Sequence, residues 1–398
     1  MKDKSFKPCF VTYVTIPHWK GKLRFREVMV IRMKNTEEWL NTLIQSIGEL
    51  DQTAMQKAQQ RQDELAKPPR SLGRLEALSV QLAGITGKLH NCVDKRELLV
   101  FCADNGVVEE DVSSAPQSVT LAQTINLVRG KTGAAVLGRR FGCRLRVCDV
   151  GVNAEIHEKG VISRKIAYGT QNIAKTAAMT REQALQAILT GAELAKESDA
   201  DVIGIGEMGI GNTTTSSAII AVLTGAEIRA VTGRGGGITD ESYAKKLAVI
   251  KRAITVNQPD KNDVVDVLAK VGGFDIAAMT GAFLGAASKR IPVVIDGLIS
   301  AVAALCAYRL CPNVRQYLIP SHASFEIGYQ LVMKELEMKP LFDLEMRLGE
   351  GSGCPLAMMM LEAACTILND MATFAEAEIN DDYLAPIRAV DSFTVKGE

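Results

Sequence analysis

A buried strand that breaks into a glycine-rich turn and then a helix is the feature that most constrains the fold of this chain. Val202, Ile203 and Ile205 form an apolar run, and four glycines lie between positions 204 and 211. Residues 212–214 are predicted to cap the helix that follows. A helix N-terminus carries unpaired N–H groups and partial positive charge, so it can bind an anion without a basic side chain. The segment predicts a phosphate-binding turn, with an ordinary strand-to-helix connection as the alternative.

The spacing of this turn bears on which phosphate it suits. Gly206, Gly211 and Thr213 nearly match a Walker A loop, but Asn212 stands where the lysine that contacts the β- and γ-phosphates would be. A nucleoside monophosphate therefore fits the turn better than a triphosphate does.

Short apolar runs separated by helical stretches recur along the chain. They cover residues 98–102, 145–150, 202–205 and 293–295. Strands that are apolar on both faces and alternate with helices predict an α/β fold with a parallel sheet. Ligands of such sheets bind at the carboxyl ends of the strands, where this sequence places Asp104, Asp149, Glu207 and Asp296.

Helix signals lie at both ends of this region. Residues 51–66 predict a helix that stops at Pro68, and Ser71 is predicted to cap a second helix that ends at Gly87. Pro355 is predicted to open a long helix reaching about residue 374. Its methionines are interpreted as core side chains; they are Met358, Met359, Met360 and Met371.

Composition excludes several classes of function. The 398 residues carry 46 basic and 46 acidic side chains, which favours neither nucleic acid nor a membrane surface as a partner. Nine cysteines are scattered singly, so a reducing cytoplasm is the simplest expectation. Four histidines lack metal-ligand spacing, and neither a metal nor a cofactor is expected. No apolar run reaches the ~20 residues that span a bilayer.

Residues 1–33 differ from the rest of the chain. They mix basic and aromatic side chains without helical or strand periodicity, and they lack the apolar centre of a signal peptide. We interpret them as a dispensable extension before Met33, with a basic targeting arm as the alternative.

Two further turns suggest ligand contacts. The glycine-rich residues 233–240 include Gly235, and Lys246 follows where it could meet a phosphate, although a lone lysine is usually a solvated surface side chain. Glu350 is flanked by glycines in residues 347–353, which suits a general base on a loop at the mouth of a site. The alternative for Glu350 is a glutamate stabilised by a nearby helix dipole.

Six ordered motifs carry a family resemblance. They are residues 67–76 (KPPRSLGRLE), 103–107 (ADNGV), 206–214 (GEMGIGNTT), 270–275 (KVGGFD), 321–322 (SH) and 347–353 (RLGEGSG). Together they resemble the successive motifs of the nicotinate-nucleotide–dimethylbenzimidazole phosphoribosyltransferases. The resemblance runs from about residue 35 to about residue 374.

The resemblance implies a reaction and a set of roles. Nicotinate mononucleotide and 5,6-dimethylbenzimidazole would give α-ribazole 5′-phosphate and nicotinate, in cobalamin biosynthesis. By similarity Glu350 is the general base and Glu207 a second carboxylate that orients ribose or base. The residues implied around the 5′-phosphate are Gly209, Gly211, Asn212, Thr213, Gly235 and Lys246. Ser324 would lie near the nicotinate carboxylate, and Gln123 in the benzimidazole pocket.

The resemblance also implies an architecture. A Rossmann-like large domain would comprise residues 96–354, and a small helical domain would combine residues 34–95 and 355–398. The implied assembly is a homodimer whose partners are small-molecule substrates.

Three positions depart from the family pattern. Asn105 stands in place of a histidine, Ala115 in place of a serine found in some relatives, and Thr215 in place of a proline. Because of Asn105 and Ala115, the sequence leaves open whether the base that accepts the phosphoribosyl group is a benzimidazole or another base. The sequence also leaves open a non-catalytic nucleotide-binding regulatory protein and a pyrophosphate-dependent phosphoribosyltransferase, although residues 381–382 lack the phosphate loop that the latter class uses.

Overall fold

A single parallel sheet organises the protein. The structure, a computed structural model, describes residues 36–390, so the predicted extension at residues 1–33 lies outside the described residues. The strands are β1 (Arg96–Ala103), β2 (Cys143–Gly151), β3 (Val161–Ser163), β4 (Val202–Met208), β5 (Val293–Ile295) and β6 (Leu318–Pro320). They lie in the order β3-β2-β1-β4-β5-β6, and every pairing is parallel.

Helices connect the strands and cover both faces of the sheet. Those before β4 are α1 (36–45), α2 (Gln52–Glu64), α3 (Arg74–Thr86), α4 (Ser118–Val128), α5 (Gly133–Arg140) and α6 (Arg181–Lys196). Those between β4 and β6 are α7 (Asn212–Thr224), α8 (Ile228–Val231), α9 (Asp240–Asn257), α10 (Val264–Val271), α11 (Phe274–Ser288) and α12 (Leu298–Leu310). The last are α13 (Ile327–Glu335), α14 (Cys354–Asp370) and α15 (Ala385–Val390), and short 3₁₀ helices cover Gly106–Glu110, Pro312–Tyr317 and Asp382–Leu384.

The strand order places the switch point of the sheet between β1 and β4. The chain builds outward from β1 to β3 and then returns to build from β4 to β6 on the other side. This is the strand order of Rossmann-like folds, in which ligands bind outside the carboxyl ends of the strands at that crevice. The predicted fold class is confirmed, and each of the four predicted runs lies within a strand. The three-residue strands β3 and β6 were not predicted.

The core reaches its closest packing where α6 crosses α11. All but the last residue of α11 are buried. Gly191 of α6 and Gly281 of α11 lie against backbone carbonyls of the opposite helix, where a Cβ at either position would collide. This close crossing fixes the N-terminus of α11 beside β4 and therefore beside the switch point.

The two ends of the chain meet. Leu65 forms an isolated bridge with Thr373, and the N–H of Ala66 donates to the carbonyl of Ala372. Helix α14 packs on α2 and α3 but also on the sheet, where Cys354 lies directly against Gly204. The predicted small domain thus has real contacts between its two segments, and its separation from the sheet remains a prediction.

Two helix boundaries and one core assignment differ from the sequence predictions. Ser71 does not cap α3, because that helix begins after Gly73 and the side chain of Glu76 accepts instead from the N–H of Leu72. Gly87 ends α3 in the left-handed conformation, as predicted. Helix α14 ends at Asp370, since Met371 is already extended. Met358 is buried as predicted, and Met360 and Met371 are half-buried, but Met359 is 36% exposed, so its assignment to the core was wrong. No helix of residues 36–390 has the length and apolar character needed to cross a bilayer.

Candidate phosphoribosyl-transfer site

A cavity of about 200 Å³ opens at the carboxyl ends of the strands, beside the switch point. Eight of the predicted site residues line it: Ala115, Glu207, Gly209, Gly211, Asn212, Thr213, Gly235 and Ser324. Glu350, Lys246 and Gln123 are not part of the lining. A larger cavity, about 760 Å³, lies between α2 and residues 373–388 and contains none of the predicted site residues.

The glycine-rich turn has the predicted strand–turn–helix form but a different cap. Gly211 occupies the N-cap position with φ +95°, and a Cβ there would contact Val108, so both backbone and space require glycine. Asn212 is the first helical residue and makes no capping hydrogen bond, so the predicted role of residues 212–214 as caps was wrong. Its side chain instead donates to the carboxylates of Glu207 and Asp275, the latter at 3.0 Å.

Glu207 and Asp275 therefore form a bridged pair of buried carboxylates. Burial, followed by repulsion from Asp275, raises the pKa of Glu207 to about 8. Burial also raises the pKa of Asp275 to about 6, and the Asn212 amide opposes that rise. Near neutral pH the pair consequently holds one proton between its two carboxyl groups. A protonated Glu207 can donate a hydrogen bond as well as accept one.

Glu350 lies on a loop, as predicted, but below the surface rather than at the mouth of the site. It is 2% exposed and has φ +63°, between Gly349 and Gly351, which also have positive φ. Its Oε2 accepts the N–H of Ala134 at 3.1 Å, in the first turn of α5. Its own N–H donates to Oε1 of Glu207 at 3.4 Å. Glu350 thus lies at the N-terminus of α5, and its role as a general base stays a prediction.

The surroundings of Glu350 set its proton affinity. Burial raises the pKa of this carboxyl, while the N–H of Ala134 and the hydroxyl of Thr132 lower it. A carboxylate whose pKa is raised toward neutrality is a better general base than an ordinary surface glutamate.

Asp296 holds the Glu350 loop in place. Its two carboxylate oxygens accept the N–H groups of Gly351 at 2.9 Å and of Gly353 at 2.7 Å. His322 Nδ1 lies 3.9 Å from the same carboxylate. Burial raises the pKa of Asp296, and the nearby His322 opposes the rise. The loop also rests on β4, because a Cβ at Gly206 would collide with the Glu350 backbone.

Lys246 is buried, which rules out the alternative of a solvated surface lysine. Only 1% of the residue is exposed, and Nζ donates to Thr213 Oγ1 at 2.9 Å and to the Gly233 carbonyl at 3.1 Å. Burial lowers the pKa of this ammonium to about 8. The lysine thus lies directly behind the wall of the cavity that Thr213 forms.

The remaining predicted residues lie on the elements around the cavity. Gln123 is on α4, where its side chain accepts from Asn126 at 3.0 Å. Thr120, one turn earlier, accepts the N–H of Ile210 at 3.1 Å and so ties α4 to the glycine-rich turn. Ser324 lies beside Gly297 at the opposite wall.

Sequence reasoning did not identify Asp275 as a site residue. It stands in the first turn of α11, a helix whose other residues are almost all apolar or small, and it is fully buried. A lone carboxylate in such a helix was an available signal, since a buried charge needs a specific partner. The bond from Asn212 could not be seen because the two residues are 63 positions apart.

The departures from the family pattern lie in the same region. Asn105 is fully buried beside Asp275, where its side-chain amide opposes the rise in the pKa of that carboxyl. Thr215 donates its hydroxyl to the Asn212 carbonyl at 3.0 Å. Ala115 lines the cavity.

A parallel sheet with the Rossmann strand order and a glycine-rich turn at its switch point defines an α/β protein of the class whose ligands bind at the carboxyl ends of the strands. A family model described as phosphoribosyltransferase matches residues 47–379. The chain belongs to the nicotinate-nucleotide–dimethylbenzimidazole phosphoribosyltransferase family, which confirms the resemblance in its motifs. A regulatory protein or a different transferase receives no support.

Relatives cover nearly the whole described chain. The nicotinate-nucleotide–dimethylbenzimidazole phosphoribosyltransferase of Ruminiclostridium cellulolyticum is 53% identical over 339 residues, which is 84% of this chain and 96% of that protein. The enzyme of the same name from Clostridium perfringens is 48% identical over 359 residues, covering 89% and 99%. The crystal structure of CobT from Thermus thermophilus superposes with a TM-score of 0.80 at 37% identity, covering 83% of this chain and 99% of that one.

Proposed function

We propose that this phosphoribosyltransferase moves the phosphoribosyl group of nicotinate mononucleotide to 5,6-dimethylbenzimidazole, giving α-ribazole 5′-phosphate and nicotinate. Membership of the family supports the reaction. The structural observation that carries the assignment is the adjacency of Glu350 to Glu207. One carboxylate lies on a rigid glycine loop, and its backbone is bonded to the other, which lines the cavity.

The chemistry requires little beyond positioning and one proton acceptor. The glycosidic nitrogen of nicotinate mononucleotide is a pyridinium, so nicotinate leaves with the bonding electron pair and needs no protonation. A benzimidazole nitrogen forms the new bond to C1′ from the opposite face, which turns a β-linkage into an α-linkage. Its other nitrogen loses a proton, for which Glu350 is the proposed acceptor.

The proposed phosphate subsite is the wall formed by the glycine-rich turn and Gly235. Gly209, Gly211, Asn212 and Thr213 supply the turn, and Lys246 places its ammonium behind Thr213. A buried ammonium whose pKa is near 8 gains from a bound dianion, because the new charge restores the solvation that burial removed.

Glu207 is proposed to orient ribose or base, and Ser324 to lie near the nicotinate carboxylate. The proton that Glu207 shares with Asp275 allows it to donate to a ligand oxygen or nitrogen. Gln123 and Ala115 are proposed for the base pocket. Glu350 Oε2 and the side chain of Leu348 both lie against Gly133, and Leu348 is 58% exposed. A planar base that contacts the carboxyl of Glu350 would therefore displace the side chain of Leu348 from Gly133.

Incubation with nicotinate mononucleotide and a panel of bases, with products identified by mass, tests the reaction. Glu350→Gln should lower turnover by ~10² to 10⁴, the range for loss of a general base, while nucleotide affinity stays unchanged. Glu335→Gln, at the end of α13 and paired with Arg309, is a matched control. Near-normal turnover in Glu350→Gln would transfer the role to Glu207. Absence of nicotinate release by the unaltered protein would refute the reaction.

A homodimer and a cytoplasmic location are further parts of the proposal. Large apolar side chains are exposed at Leu348, which lines the cavity, and at Phe325 and Ile327, which flank the lining residue Glu326. Exposed apolar side chains grouped in this way commonly mark subunit contacts. The scattered single cysteines suit a reducing compartment. Light scattering in solution would test the dimer, and a monomer at micromolar concentration would contradict it.

A further inference from the structure

Glu326 places a negative charge where the proposed phosphate subsite needs a positive one. It is the N-cap residue of α13, yet its side chain makes no capping hydrogen bond to that helix. Its Oε2 instead fills the space that a Cβ at Gly233 would need, and Glu326 also lines the cavity. The carbonyl of Gly233 is one of the two acceptors of Lys246, so carboxylate and ammonium converge on one residue.

The charges around Glu326 are those of Lys246, which is proposed for the phosphate subsite, and of Arg347, which lines the same cavity. Lys246 and Arg347 both lower the pKa of Glu326, as does the N–H of Gly235, although burial has the largest effect and raises it. In return, Glu326 is the charge that opposes the burial-driven fall in the pKa of Lys246. The two hydrogen-bond partners of the Lys246 ammonium, Thr213 and Gly233, are neutral, so Glu326 supplies its counter-charge.

We propose that Glu326 is an exchangeable internal anion, which balances Lys246 and Arg347 in the empty site and loses that role to the phosphate of a bound nucleotide. The proposal rests on the proposed phosphate subsite. A buried cation without a counter-charge is costly, so the empty site is stabilised by the carboxylate. When a phosphate enters, the two anions repel, and each nucleotide binds more weakly than Lys246 alone would allow.

The consequence concerns turnover. Substrate and product both carry the 5′-phosphate, so an interaction that weakens phosphate binding lowers the affinity of each equally. It raises KM, but it also speeds release of the product nucleotide. Glu326 is thus a positioning residue that acts through the subsite charges, and it takes no part in the bond changes at C1′.

Calorimetric titration of Glu326→Gln tests the exchange. Nicotinate mononucleotide, α-ribazole 5′-phosphate and inorganic phosphate should each bind about tenfold more tightly, because one like charge is removed near the subsite. The affinity for free dimethylbenzimidazole should stay unchanged, and kcat and KM should fall together. Glu326→Asp keeps the charge and should bind nucleotide more like the unaltered protein. Glu335→Gln on the same helix is the matched control.

Unchanged or weaker binding of the three phosphate ligands by Glu326→Gln would overturn the proposal, since it would show that Glu326 supports the subsite rather than opposing occupation. If the Gln variant fails to fold, Glu326→Ala gives the same comparison. The inorganic phosphate titration involves neither base nor nicotinate. If Glu326→Gln binds inorganic phosphate more tightly while the unaltered protein does not release nicotinate, the inference holds and the proposed function fails. The two failures are therefore distinguishable.

Discussion

The proton held by the Glu207 and Asp275 pair should make the stability of the fold fall as pH rises. The pKa of Glu207 is raised from 4.5 to about 8 in the folded protein. An acid whose folded pKa lies above its unfolded value loses its proton more easily when the chain unfolds. The free energy of unfolding therefore decreases from about pH 4.5 upward and levels off above about pH 8.

The size of this effect follows from the two pKa values. A tenfold change in an equilibrium corresponds to about 1.4 kcal/mol. The shifted pKa of Glu207 therefore lowers the free energy of unfolding by about 3 kcal/mol between pH 5.5 and pH 8. Asp275, with a pKa raised to about 6, adds a smaller loss at lower pH. Lys246 acts in the opposite direction, because its lowered pKa makes stability rise with pH between about 8 and 10.5.

Glu207→Gln isolates the contribution of Glu207. Urea unfolding at half-unit steps from pH 5.5 to pH 8.5 should show a much flatter pH dependence in the variant than in the unaltered protein. The amide also disturbs the contacts with Asn212 and the Glu350 N–H, at a cost of ~1–3 kcal/mol that does not vary with pH. The slope is therefore the measurement, and Glu335→Gln should leave it unchanged. Parallel curves for Glu207→Gln and the unaltered protein would refute the raised pKa.

Three further outcomes are expected. Lys246→Ala should weaken nicotinate mononucleotide binding by roughly 1.5–3 kcal/mol, while the free base binds as before; equal losses for both would make the lysine structural. A chain that starts at Met33 should match the full chain in melting temperature and turnover, and a loss of either would show that residues 1–33 contribute to the folded unit. Ala115→Ser should sharpen discrimination among bases in competing turnover, because a buried hydroxyl without its partner costs ~1–3 kcal/mol; no change would remove position 115 from the base pocket.

The sequence predicted the fold class because its signals are local. The apolar runs at β1, β2, β4 and β5 are flanked by helical stretches, and this alternation specifies parallel strands. β3 and β6 have three residues each, too few to show a period. The prediction that Ser71 caps α3 was wrong because a serine before an apolar stripe has the same local pattern whether the helix starts there or three residues later.

The site was only partly predictable because its decisive contacts are long-range. Positions 207, 209 and 211 follow from one segment, but the high pKa of Glu207 comes from its burial and from the charge of Asp275 on α11. Lys246 resembles any other lysine in sequence, and its burial depends on how α9 packs beside α7. Asp296 was recognised at a strand end, but its role as the anchor of residues 351 and 353 required the folded structure.

The left-handed backbone at Glu350 places activity and stability in opposition. At φ +63°, glutamate destabilises the fold by ~1 kcal/mol relative to glycine. Burial further disfavours the ionised form of its carboxyl. The neighbouring residues, Gly349 and Gly351, already have the residue type that this conformation prefers. A lineage released from the need for catalysis is therefore expected to drift toward glycine at position 350 and to gain stability in doing so. The residue type at this one position would then distinguish working enzymes from inactive descendants that keep the same fold.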